Sequence, residues 1–144
     1  MENVATISGL RNQTSPRLGR SVGAVLAGLV TVIVTHTGTD AIMHALGVFP
    51  PAGQVMSDGL FALAATYRIL FTVLGGYVTA RLAPSKSLKH ALVLGSIGSV
   101  LALAGMLATL GRGPGFGPLW YPLSLVVTAL PTCWLGARIA FPSK

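Results

Sequence analysis

The run HALVLGSIGSVLALAGMLATL, residues 90–110, decides the fold. It carries no acid and no lysine or arginine, and at 1.5 Å per residue a helix over it is about 30 Å long, the thickness of the hydrocarbon layer of a bilayer. An uncharged stretch of this length has one stable home, and the only way to satisfy its backbone groups in lipid is an α-helix.

Working outward, three more apolar stretches of the same kind appear. Pro118 to Phe141 lies on the C-terminal side, Gly59 to Leu82 on the N-terminal side, and Ser21 to Leu46 before that. Turn-forming residues separate them: Phe49-Pro50-Pro51-Ala52-Gly53, Ala83-Pro84-Ser85 and Gly111-Arg112-Gly113-Pro114-Gly115. The composition agrees. Of 144 residues 52% are hydrophobic and only 9% charged, with a mean hydropathy of +0.73. A soluble domain carries about 25% charged residues, and a disordered chain is less hydrophobic and more charged still. Both classes are excluded. The expectation is an all-α polytopic membrane protein, a four-transmembrane-helix bundle spanning about 21–46, 59–82, 90–110 and 118–141, with 1–20 a polar, poorly ordered cytoplasmic tail and 21–144 the membrane domain. The first span is too long, and too far behind polar residues, to be a cleaved signal peptide, and it reads as a retained helix.

The net charge of +7 would point to nucleic acid in a soluble protein. Here the basic residues occupy the gaps between spans, so they read as topology and not as a nucleic-acid surface. Arg11, Arg17 and Arg20 precede the first span, Arg81, Lys86 and Lys89 fall between the second and third, and Arg138 and Lys144 follow the fourth, against Arg112 alone on the other side. Both termini are therefore expected in the cytoplasm, with Trp120 and Tyr121 at the outer headgroup layer. Cys133, the single cysteine, has no disulfide partner within the chain.

Lipid supplies no hydrophobic drive for helix association, so small residues mark contact faces. Ala91, Gly95, Gly98, Ala102 and Gly105 recur at heptad spacing down the third span. They predict a close seam, met by a neighbouring helix, a second copy or another membrane protein. Pro131 in the fourth span, with Ser124 and Thr128 near it, predicts a kink.

Intramembrane polar residues are costly and so are functional candidates. Arg68 lies mid-span on a face with Ala65, Thr72, Gly75 and Thr79, which reads as turned toward protein. His36, Asp40 and His44 follow one another at i, i+4 and i+8 in the first span. Measured from the outer ends Leu46 and Asp58, His36 and Arg68 are ten residues deep and Asp40 six, which predicts an Arg68–Asp40 pair. Asp58 stands about 15 Å from Arg68 along its helix, too far to pair. Two readings of the cluster compete: an ion pair that holds spans one and two in register, and an outward-opening polar pocket for protons, an ion or a small polar ligand. A metal site is disfavoured, because His36 and His44 are about 12 Å apart and an arginine repels a cation. His90 reads as interfacial, and Tyr67 and Tyr77 as packing residues able to hydrogen-bond across helices, with no partner visible in the sequence.

There is no phosphate-binding glycine loop, CxxC pair, G-x-S-x-G or HExxH in the chain, and a catalytic pair of carboxylates is unavailable. No cofactor and no enzymatic activity are expected. Gly47-Val48-Phe49-Pro50-Pro51, the run Tyr67-Arg68 through Gly75-Gly76-Tyr77-Val78-Thr79-Ala80-Arg81-Leu82-Ala83-Pro84, His90-Ala91-Leu92, Gly117-Pro118-Leu119-Trp120-Tyr121-Pro122, Leu130-Pro131 and Trp134-Leu135-Gly136 occur together. In this combination the chain resembles a family of small, uncharacterised bacterial four-helix inner-membrane proteins over about 21–139. The resemblance implies the four-span architecture and a bacterial inner membrane, and no activity. The expected role is an accessory or structural subunit acting through helix association with another membrane protein or with itself. The alternative is a small homo-oligomeric transporter or channel using Arg68, Asp40, His36 and His44.

Overall fold

The computed structural model describes residues 17–51 and 53–142. It is all-helical: α1 (Glu2–Ala45, described from Arg17), α2 (Asp58–Leu82), α3 (Ser87–Thr109) and α4 (Trp120–Ala140), with a short 3₁₀ turn at Pro114–Phe116. All four long helices are apolar and long enough to cross a membrane, so this is a multi-pass membrane protein built as a helical bundle. The expected spans match these helices to within three residues wherever the ends are described. Apart from its last four residues, the tail expected over 1–20 lies outside the described residues.

Each boundary has a local cause. Gly47, at φ +69°, takes the left-handed conformation after α1, and Val48 N–H then bonds to the Met43 carbonyl at 2.9 Å and Gly47 N–H to that of His44 at 3.1 Å. This is the two-bond closure that satisfies the last carbonyls of a helix, and Pro50-Pro51 prevents its resumption. Pro84 ends α2 by holding Ala83 extended, at ψ 131°. The link from α2 to α3 is only Ala83 to Lys86, so the two helices lie antiparallel.

α2 is the hub. It packs extensively on α4 and α1, α3 packs on α4, and α1 and α3 meet only sparingly. The end of the bundle carrying Arg81, Lys86, Lys89 and Arg138, here the basic end, is closed by Ala80, Ala91, Ala137 and Ala140 with Tyr77 beside them. The opposite, loop end is filled by Phe49, Ala64 and Tyr67 with Met43, Met56, Leu60, Phe71 and Tyr121 around them.

Next to the alanines of the basic end, on that side of the bundle, the helix backbones approach at paired glycines. A Cβ on Gly76 of α2 would stand 2.6 Å from the Cys133 carbonyl oxygen of α4, and one on Gly136 of α4 would stand 2.6 Å from the Tyr77 nitrogen of α2. A Cβ on Gly28 of α1 would come within 2.8 Å of the Gly75 carbonyl oxygen. The small-residue stripe of α3 is met within the chain over its first half: Ala91 is fully buried, and a Cβ on Gly95 would stand 3.1 Å from the Ala129 carbonyl oxygen of α4. Toward the loop end the stripe is uncovered. A Cβ on Gly98 would have only Ala129 near it, at 3.7 Å, and one on Gly105 would have nothing within 4 Å.

α4 runs unbroken through Pro131, which lies on its exposed face. Hydroxyls along the helix bond back to its carbonyls: Ser124 to Tyr121 at 2.7 Å, Thr128 to Ser124 at 2.6 Å and Thr132 to Thr128 at 2.7 Å. Ser99 of α3 donates to the Val126 carbonyl at 3.1 Å, tying α3 to α4 next to the proline turn.

Candidate functional site

α1 and α2 are joined by a loop at one end and crossed closely at Gly28 and Gly75, so the faces above that crossing are held opposite one another. Asp40 is carried there on α1, and Tyr67 and Arg68 on α2. The Asp40 carboxylate accepts from both: the Tyr67 hydroxyl donates to Oδ1 and Arg68 Nη2 donates to Oδ2. The Arg68 and Asp40 side chains remain 26% and 28% exposed, so the pair is half-buried and not sealed. It is the only salt bridge among the described residues.

A third helix takes part. The Arg68 guanidinium carbon stands 5.9 Å from the centroid of the Tyr121 ring of α4, within reach of a cation–π attraction, and that ring is 5.1 Å from Phe61. Tyr121 therefore turns inward, while Trp120, exposed and edge-on to it, faces outward. Neighbouring positions on a helix project about 100° apart, so adjacent aromatics serve different surroundings. Arg68 is thus the point where α1, α2 and α4 converge.

The histidines diverge from the carboxylate. His36 Nε2 donates to the Arg68 carbonyl oxygen at 3.1 Å, and its ring lies 6.2 Å from Phe71. His44 is exposed, bonds through Nδ1 to the Asp40 carbonyl at 2.8 Å, and packs edge-on to Phe49 at 5.5 Å. Arg68 and Asp40 are brought together, His36 is joined to the Arg68 backbone, and His44 touches neither charged group. Among the described residues no three His, Cys, Asp or Glu side chains converge as metal ligands would.

Two cavities flank the pair. On the loop side is a vestibule of about 150 Å³ walled by Asp40, His44, Phe61, Tyr67, Arg68 and Tyr121. Toward the middle of the bundle is a larger cavity of about 290 Å³, reached by all four helices, whose polar groups are His36, Arg68, Thr72, Thr128 and Cys133. Arg68 is the one residue common to both walls. The Cys133 thiol lies at the inner wall, 3.9 Å from the Thr72 carbonyl.

Sequence reasoning missed Tyr67 as the second donor to Asp40, and Tyr121 as the ring under Arg68. One signal was present: Tyr67 precedes Arg68, so a carboxylate arriving between their two directions meets both. Using it requires knowing how α1 is rotated, which no periodicity in the chain supplies. No family model, no curated protein and no solved structure matches this chain.

Proposed function

We propose that this chain is a non-enzymatic, homo-oligomeric channel or transporter of a bacterial inner membrane, with both termini in the cytoplasm, in which the Arg68–Asp40 pair is the barrier between an outward vestibule and a central cavity. The single observation that carries this reading is that Arg68 lines both spaces. A pair serving only to hold two helices in register needs no cavity on either side, whereas a barrier needs one on each. The orientation rests on the basic residues gathered at one end. The bacterial membrane rests on the resemblance of the sequence motifs.

Cys133 is a native reporter for this pathway: it borders the central cavity beyond Arg68 but is only 1% exposed, so a reagent reaches it only when the pathway opens. In sealed vesicles with the periplasmic face outward, a membrane-impermeant methanethiosulfonate added outside should label the wild-type protein slowly. The double variant Arg68→Ala/Asp40→Ala removes the barrier and leaves no unpaired charge, and labelling should then accelerate by about tenfold or more, the effect of lowering a barrier by 1.4 kcal/mol. Cys133→Ser fixes the background. Equal labelling rates in wild type and double variant would sink the pathway.

The reading as an accessory subunit has its own supporting observation. The α3 stripe continues past the point where this chain covers it, to Gly105, where an added Cβ would meet nothing within 4 Å. Extraction in mild detergent, with native mass and co-purifying proteins determined together, separates the readings. A stoichiometric membrane partner favours the accessory role, and a homo-oligomer alone favours the channel or transporter.

A further inference from the structure

We infer that the central cavity binds a small neutral lipophile bearing a hydroxyl group, an alkylphenol or a medium-chain alcohol, taken from the bilayer. This names the class of solute for the pathway proposed above and rests on that reading.

The cavity exists because α1 and α3 barely touch, so the wall between them opens toward the surrounding acyl chains. Most of its lining is aliphatic, with Val32, Ile69 and Leu101 among the contributors. A dry apolar cavity of about 150 Å³ holds one benzene. The present 290 Å³ therefore suits a ring with a short chain, or a chain of similar bulk.

The hydrogen-bonding capacity of the wall fixes the polar part of the ligand. Thr72 already donates its hydroxyl hydrogen to the Arg68 carbonyl at 2.7 Å, and Thr128 donates its own to the Ser124 carbonyl at 2.6 Å. His36 donates from Nε2 to the Arg68 carbonyl, which in the neutral ring leaves Nδ1 as an acceptor. Three of the polar groups on the wall have their hydrogens engaged elsewhere and present only lone pairs. A ligand that satisfies them must donate. Arg68 lines the same cavity with its charge already met by Asp40, and its Nε hydrogen is buried without a partner, so the wall sets one donor beside three acceptors. Neither ion answers both, since an ammonium has no lone pair and a carboxylate no hydrogen. What remains is a neutral O–H on an apolar body.

The test uses the purified protein in lipid nanodiscs, with para-butylphenol and its methyl ether at equal concentrations in the lipid phase. The ether keeps the shape and loses the donor. Occupancy is read without transport, as slowed alkylation of Cys133 by a small maleimide and as a raised unfolding temperature. The phenol should protect at a concentration about fivefold lower than the ether, the worth of one net hydrogen bond. In Thr72→Val/Thr128→Val the phenol should fall to the level of the ether. In Gly98→Leu, where an added Cβ meets only Ala129 at 3.7 Å, the new side chain fills the cavity and protection should be lost while the protein stays folded. Equal protection by phenol and ether, or none by either, overturns the inference. If the phenol protects selectively while external labelling of Cys133 ignores the Arg68 and Asp40 double variant, the binding site stands and the pathway does not.

Discussion

At the basic end the helices touch backbone to backbone, whereas at the loop end they stand apart around side chains. Gly76, Gly136, Gly28 and Gly75 let α1, α2 and α4 close on one another, and alanines 80, 91, 137 and 140 fill what is left. Beyond them, toward the loops, the helices separate around Tyr67, Arg68, Asp40 and Tyr121, and two cavities open. In lipid, where apolar burial gives no net drive between helices, close van der Waals contact holds a bundle together. The basic end supplies that contact. The loop end relies on one charged pair and on side chains packed around Phe49, Ala64 and Tyr67, and between these and the glycines there is room for cavities. A four-helix protein of this size can carry a polar interior only if one end is rigid enough to fix the other.

The largest expected effect breaks the tight end. Gly136→Leu forces a side chain into the α2 backbone, with the Tyr77 nitrogen 2.6 Å from the new Cβ. Backbone cannot yield as a flexible side chain does, so the cost should reach about 3 kcal/mol or more. Gly105→Leu introduces the same group where nothing lies within 4 Å, and should leave stability within about 0.5 kcal/mol of wild type. Thermal unfolding of both in one detergent reads the contrast. Similar losses in the two variants would mean that the glycines at the basic end are not what holds the bundle.

The next effect sharpens the comparison at the loop end. Removing one partner of a buried ion pair costs about 3–5 kcal/mol, and removing both is often nearly neutral. The partners here are a quarter exposed, so Arg68→Leu and Asp40→Leu alone should each cost about 2 kcal/mol after solvent screening. The double variant should recover most of that loss. A double-mutant cycle in chemical denaturant measures the coupling, and additive losses would show that the two side chains do not hold α1 to α2 through one another.

The two ends also differ in how much of them can be read from the chain. The spans were legible because hydropathy is a one-dimensional property: residues 90–110 announce a membrane helix whatever surrounds them. The Arg68–Asp40 contact was legible for a similar reason, since depth along a helix can be counted from its end and a lone intramembrane cation requires an anion at like depth. The glycine crossings were not. Gly75 and Gly76 are adjacent in sequence, yet Gly75 meets α1 and Gly76 meets α4; the face of Ala65, Thr72, Gly75 and Thr79 marks the first as a contact without naming its partner, and no stripe runs through Gly76. The α3 stripe, which is periodic, points correctly at a seam but does not say that α4 covers only its first half. Rotation of a helix about its axis, and the choice of neighbour, are set by pairwise fit, and the cavity between α1 and α3 is a consequence of that choice.

The smallest expected effect concerns the cost of making the basic end so tight. Because Ala80 and Ala91 are packed together in one buried cluster, the chain must reverse between α2 and α3 within Ala83 to Lys86. Pro84 holds Ala83 extended, and the turn is completed by Lys86 at φ +47° and ψ 48°, the one non-glycine residue with positive φ among those described. A side chain in that conformation costs about 1–2 kcal/mol. Lys86→Gly relieves it, offset by about 0.5–1 kcal/mol of extra freedom in the unfolded chain. The net expectation is a gain of about 0.5 kcal/mol, read as a small rise in unfolding temperature. Lys86→Ala removes the same charge and keeps the Cβ, so it should show no gain. If alanine stabilises as much as glycine, the charge and not the backbone is what strains this turn, and the tightness of the basic end carries no conformational cost at its link.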